Sequence, residues 1–319
     1  MENRWLMAGI VLVGVPLVII GYIVLTERIL RLIPANRRDG IRPWLWLAPA
    51  LLFVGIFLIY PTIRTVIISF MDARSENFIG IENYAEFFGN DRNWTVFVNN
   101  LLWIVFFTLL TVVFGLLIAV LTDRVRYEAV AKALIFLPMA ISFVAAGIIW
   151  RFMYDFSPET GTLNAAIGVL GIEPQTYLFD WPRNTFMIII AAAWIWTGFC
   201  MVILSAGLKG ISTELLEAGR MDGANEFQVF FRIIMPLMAP TIAVVTTTMI
   251  IFALKIFDLV YVMTGGRFDT DVLANRMYSE AFISRDFGMS ATVAVILLAL
   301  IVPIMAFNIR RFRQQEAIR

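Results

Sequence analysis

Apolar positions gather into seven long runs: Trp5–Leu25, Trp44–Ile63, Leu101–Leu121, Ala133–Phe152, Phe186–Leu208, Thr241–Met263 and Met289–Ile309. A helix needs about 20 mostly apolar residues to cross a bilayer, and each run is close to that length. The pattern predicts an all-α polytopic membrane protein with about seven transmembrane helices. The first run could pass for a secretory signal. It has no basic lead beyond Arg4 and no small-residue cleavage site before Thr26-Glu27-Arg28, so it reads as a retained span.

One polar stretch between the fifth and sixth runs is patterned as helix rather than loop. Ser212 or Thr213 can cap a short helix over Glu214–Asp222, and Gly223 supplies a left-handed exit. Asn225 and Gln228 then form a second capping box. Phe227, Phe230, Phe231 and Ile234 follow at i, i+3, i+4 and i+7, as one apolar stripe. Pro236 is expected to end that helix and Pro240 to mark entry to the next span. Two readings stay open on periodicity: an amphipathic helix lying on the membrane, or a two-helix knob set in a groove of a soluble subunit. In the second, Glu217 and Asp222 pair with the partner.

Basic residues add an orientation. Fifteen of them fall in the Thr26–Pro43 linker, the Thr122–Lys132 loop, the hairpin and the tail beyond residue 309. Nine fall on the other side, Arg4, Arg64, Arg74, Arg92, Arg151, Arg183, Arg267, Arg276 and Arg285. The positive-inside rule makes the richer side cytoplasmic, with the N-terminus outside and the C-terminus in the cytoplasm. The loops near 70–99, 155–185 and 264–287 then face outward. They are too long to be bare connectors, and Leu163–Leu170 looks like a short surface helix that packs or receives an external partner. The chain divides into an extra helix with a basic linker (1–43), a second span with its loop (44–95), a core (96–310) and a tail (311–319).

Composition narrows the chemistry. The chain is 60% hydrophobic and 15% charged, against about 25% charged in soluble domains. Histidine is absent, and the one cysteine, Cys200, lies in an apolar run, so neither a disulfide nor a Cys/His metal site is available. No G-x-x-x-x-G-K-[ST] loop is present to bind nucleotide. A membrane enzyme is hard to assemble from this set. An ion-coupled secondary transporter tends to show repeats, broken helices and buried acids. Neither a repeat nor a carboxylate relay is visible. Lys255 and Asp258, three apart in the sixth run, are expected on one helix face, either as an ion pair that fixes packing or as solute contacts. Trp194, Trp196, Thr197, Phe199 and Cys200, with Thr246, Thr247 and Thr248, could line a cavity. Their aromatic faces and hydroxyls suit sugar rings.

The order Glu217-Ala218-Gly219-x-x-Asp222-Gly223-Ala224, followed by Phe230-Phe231-Arg232-Ile233-Ile234-Met235-Pro236, resembles the EAA signature of the membrane subunits of bacterial ABC importers. Ile81–Phe87, Asn99-Asn100 and Phe257-Asp258 ahead of Thr264-Gly265-Gly266 look like the maltose-type sugar permeases. The likeness covers roughly residues 44 to 310. It implies a type I ABC importer permease fold in which Glu217, Ala218, Gly219, Asp222, Gly223 and Ala224, with Phe231 and Pro236, form a coupling region seated in an ATP-hydrolysing subunit. Gly219 stands where the family commonly has Ala, which adds helix flexibility of up to about 1 kcal/mol.

The resemblance further implies partners: two ATP-binding subunits, a second homologous permease, an extracytoplasmic solute-binding protein and membrane lipid, with no nucleic acid. ATP and Mg would sit on the partner ATPase, and this chain would bind no cofactor or metal and carry no catalytic residue. The setting would be a bacterial plasma (inner) membrane. In the maltose permease the polar sugar contacts of the sixth span lie four and eight residues before the position matching Phe257. Those positions are Ala253 and Met249 here, so either the solute differs or the partner permease holds it. The stretches Thr264–Thr270 and Ala274–Tyr278 look most like permeases for α-glucosides such as trehalose, sucrose or glucosylglycerol. A permease for a non-sugar solute, such as an amino acid or polyol phosphate, is the nearest rival.

Overall fold

The computed structural model describes residues 2–123 and 125–316. Arg124 and Arg319, counted above among the basic residues of one side, lie outside them, as does the end of the 311–319 tail. Apart from one antiparallel bridge between Met71 and Phe78, regular structure among the described residues is helical.

The chain forms two compact units, Met1–Arg64 and Thr65–Arg319. The first holds α1 (Glu2–Leu32) and most of α2 (Ala35–Ile68). The expected basic linker is helical, because only Ile33 and Pro34 interrupt the two rods. Arg38 closes the break by donating from Nε to Ile33 O (2.8 Å) and from Nη2 to Arg31 O (3.1 Å), which covers carbonyls that the end of α1 leaves unpaired.

The second unit continues with α3 (Glu82–Gly89), α4 (Asp91–Thr122), α5 (Glu128–Phe136), α6 (Phe143–Met153) and α7 (Thr162–Gly168). Then come α8 (Arg183–Lys209), α9 (Thr213–Met221), α10 (Glu226–Leu254), α11 (Asp258–Met263), α12 (Leu273–Ser279) and α13 (Phe287–Glu316). Six helices among the described residues are long and apolar enough to cross a membrane, or seven if α5 and α6 count as one.

The fourth and sixth runs depart from the expected spans. The fourth bends by 97° between Ala140 and Phe143. Pro138 cannot continue the ladder, and the Ser142 side chain restarts it by accepting from Ala145 N at 3.2 Å. The sixth span is Glu226–Leu254, not Thr241–Met263. Both prolines lie inside it: Pro236 does not end the hairpin helix, and Pro240 does not mark the start of the span. A wider π turn over Phe230–Ile234, with Met235 N bonded to Phe230 O, comes just before Pro236 and places it in the first turn of the regular helix. A missing N–H costs little there. At the far end the buried Asn100 amide reaches Leu254 O (3.5 Å), and the helix stops.

The core sits around α8, whose Ile188, Ile189, Ala191, Ala192, Ile195, Cys200, Met201 and Leu204 are buried. Lipid tails provide no general force driving apolar helices together, so spans gain contact by close approach at small residues. Gly115 of α4 is such a point, since a Cβ there would lie 2.6 Å from Cys200 Cβ. Gly198 gives the end of α5 the same room against α8. Short surface pieces are pinned by side chains. Asn164 of α7 donates to Asp155 O (2.7 Å) and Gln175 O (3.0 Å), and Asp72 accepts from Glu76 N (2.8 Å) and Asn77 Nδ2 (2.7 Å). The Glu76 and Asn77 bonds hold the Asp72 carboxyl below its ordinary value.

Candidate functional site

The polar stretch between α8 and α10 is a helical hairpin. Helix α9 ends in a Schellman turn: Ala224 N bonds Gly219 O (3.1 Å), Gly223 N bonds Arg220 O (3.0 Å), and Gly223 has φ +85°. Asn225 and Gln228 make the expected capping box. Ser212 stands at the N-cap of α9 but makes no capping bond. Arg220 Nε meets Glu226 Oε1 at 2.8 Å across the turn, and this bond raises the Arg220 pKa. An exposed pair of that kind is screened by water and adds little, so the turn and the packing set the shape. Gly219 contributes to that packing. A Cβ on it would lie 2.4 Å from Ile233 Cδ1, so it serves close approach where the sequence suggested only flexibility.

The expected single stripe is split. Phe227 and Phe231 are 71% and 51% exposed, while Ile234 is buried and Phe230 half-buried. The division is one of exposure and not of contact, since the Phe231 ring touches both Phe227 (4.5 Å) and Phe230 (4.9 Å). The outer surface therefore carries the exposed Glu217, Ala218, Asp222 and Gly223 beside Met221, which is 87% exposed, Phe227 and Phe231. Pro236 is exposed and Ala224 half-buried. Such a patch of apolar side chains rimmed by acids marks an interaction surface.

The candidate solute-path residues do not converge. Trp194 and Thr197 line one groove of about 520 Å³ beside the bend of α5 and α6. Thr246 and Thr247 line another, of about 660 Å³, between α10 and α13. Met249, Ala253 and Cys200 are fully buried, and Trp196 is packed between Phe143 (5.8 Å) and Phe252 (3.9 Å). Lys255 and Asp258 do not share a helix face. Lys255 caps α10, Asp258 opens α11, both are exposed, and among the described residues they form no ion pair. Nor do any three His, Cys, Asp or Glu side chains among the described residues gather as a metal would require.

At the end of the bundle away from the hairpin, the starts of α4 and α8 meet the segment after α11 in a polar network. Asn99 Nδ2 donates to Asp269 O (2.6 Å) and Asp271 O (2.8 Å), while its Oδ1 accepts from Trp181 Nε1 (3.0 Å) and Thr185 Oγ1 (3.3 Å). Asn100 Oδ1 accepts from Leu273 N (2.8 Å), and Asn184 Nδ2 donates to Phe268 O (2.6 Å). Asp271 accepts from Asn275 Nδ2 (2.6 Å), although burial pushes its pKa up. Asn99 and Asn100 were visible in the sequence as polar residues opening a span. The partners of Asn184 and Asp271 come from loop geometry that no local pattern encodes.

These features, a bundle of spans with a projecting capped hairpin, define the membrane component of a multi-subunit transporter. Residues 111–312 match the family model described as "Binding-protein-dependent transport system inner membrane component". The chain belongs to this family, as an inner-membrane multi-pass permease subunit of an ABC importer. It is 51% identical over 279 residues to the osmoprotective compounds uptake permease protein GgtC of Synechocystis sp., covering 86% of this chain and all of that one. It is 46% identical to the alpha-glucoside transport system permease protein AglF of Rhizobium meliloti, covering 87% and 84%. A bacterial ABC transporter involved in the import of the acidic polysaccharide alginate shares the fold, with a TM-score of 0.76 at 22% identity, over 88% of this chain and 99% of that one.

Proposed function

We propose that this chain forms half of the translocation path for a sugar, a di- or oligosaccharide or α-glucoside, and takes up mechanical work through the 212–236 hairpin from a separate ATPase. The observation carrying the coupling role is the exposed face of Glu217, Asp222, Met221, Phe227 and Phe231 on a hairpin whose shape is fixed from within. A rigid knob with an exposed apolar and acidic face suits insertion into a groove. In this reading the hairpin and C-terminus are cytoplasmic and the N-terminus is outside. Two ATP-binding subunits with their ATP and Mg, a second permease and an external solute-binding protein complete the importer. The sugar class is supported by the roles of two relatives, alpha-glucoside transport and osmoprotective compound uptake.

Glu217→Lys in the assembled importer tests the coupling. It is expected to abolish solute-stimulated ATP hydrolysis while the external protein keeps its solute affinity. Unchanged stimulation would remove the hairpin from the coupling path.

A further inference from the structure

We infer that the cleft at the end of the bundle opposite the hairpin is a subsite for one hexopyranosyl ring of the arriving solute. The assignment rests on the sugar-importer reading above and adds a place where the sugar is held before it passes between the spans.

The cleft measures about 810 Å³, within the roughly 300–1,000 Å³ of small-molecule pockets. Its walls bring Arg151 and Asp155 at the end of α6, Phe179, Tyr261 of α11, and Arg267 and Phe268 beyond it around one space. Phe179 and Phe268 make a corner, with ring centroids 4.7 Å apart and planes at 67°. A pyranose ring offers C–H faces to aromatics and hydroxyls to charged groups, and the cleft presents both kinds of surface. Arg151 is anchored across the opening by Nη1 donating to Val262 O (3.3 Å), and a guanidinium has four further N–H donors. Asp155 supplies the matching acceptor. Two guanidinium groups and one carboxylate fit a neutral polyol better than a purely cationic pocket would.

The backbone carries an independent argument. Phe268 has φ +56°, a conformation that a bulky residue rarely adopts, and Gly265, Gly266 and Asp269 beside it are also left-handed. Two fully buried asparagines hold the strained stretch, Asn184 at Phe268 O and Asn99 at Asp269 O. Core packing does not account for this, since Phe268 is 45% exposed and lines the cleft. Strain that buried groups maintain while its side chain stays open to solvent belongs with ligand clamps.

Equilibrium titration of the full-length chain in lipid nanodiscs, followed by ligand-detected NMR, tests the assignment. The probes are trehalose, sucrose and glucosylglycerol, with sodium phosphate as the anionic control. Phe268→Gly keeps the backbone conformation and removes the ring, Phe268→Tyr keeps the ring, and Arg267→Gln removes a charge. At least one sugar should bind, with affinity roughly tenfold weaker in Phe268→Gly and Arg267→Gln and preserved in Phe268→Tyr. Equal binding by Phe268→Gly and the parent chain, binding of phosphate alone, or no sugar binding would each overturn the subsite. Sugar uptake by the assembled importer separates the two readings. If uptake persists while the cleft fails this test, only the subsite falls, whereas an importer that moves no sugar removes the reading beneath it.

Discussion

Gly198→Ala is a sharp test of how the bent span is held. A Cβ at Gly198 would lie 2.7 Å from Ile135 O, 2.8 Å from Phe136 Cα and 3.2 Å from Ile135 C. Carbon atoms rest at about 3.5–4.0 Å, so the end of α5 must back away from α8 by roughly an ångström. All three atoms are backbone, and no side-chain rotation relieves the clash. Overpacking of this kind costs about 1–3 kcal/mol. The sequence contains a single cysteine, Cys200, which is fully buried two residues further along α8 against Gly115 of α4, so it reports loosening of the packing around α8 as a whole. Each 1.4 kcal/mol is tenfold in an opening equilibrium, so maleimide labelling of Cys200 in detergent should accelerate about 5- to 150-fold when closing outpaces reaction. Gly168→Ala is the control, because nothing lies within 4 Å of a Cβ there, and its rate should match the parent. A Gly198→Ala chain that labels at the parent rate would refute the claim that the close approach at Gly198 holds the packing around α8 together.

Two glycines of the hairpin should respond differently. Gly223→Ala forces a Cβ into a left-handed position at about 1–2 kcal/mol, with open space around it, so the loss is one of backbone conformation. It should speed tryptic cleavage at Arg220 and Arg232, and Gly223→Asn should recover part of the protection. Gly219→Ala gains up to about 1 kcal/mol in helix propensity and asks only the terminal methyl of Ile233 to swing aside, so its cleavage rate should stay near the parent's.

Long apolar runs and caps were legible in the sequence because their physics is local. Asn225 and Gln228 announce their own capping box, and Gly223 its left-handed turn. The register of the sixth span was not, because Pro236 reads as a stop unless the π turn before it is known. Nor could an i, i+3, i+4, i+7 count tell that Phe227 and Phe231 stay exposed while Ile234 is buried, since it places residues on a face without saying what covers them. Lys255 and Asp258 looked like helix-face neighbours because such a count assumes an unbroken α-helix, and the break between them depends in part on Asn100, more than 150 residues away in the chain. The hairpin was readable as a motif, but which of its side chains stay exposed depends on how the fold packs it. The cleft lined by Arg151, Tyr261 and Phe268 was hidden, because its residues come from four separated segments and its strained backbone leaves no compositional trace.

The central claim is that a separate motor drives this bundle through its hairpin, and reconstitution measures it most directly. Trehalose uptake would be followed in liposomes carrying either this chain alone or this chain with the second permease, the ATPase subunits and the external binding protein. The account predicts no uptake by the lone chain and ATP-dependent accumulation by the complete set. Accumulation by the lone chain, or by the complete set without ATP, would contradict it.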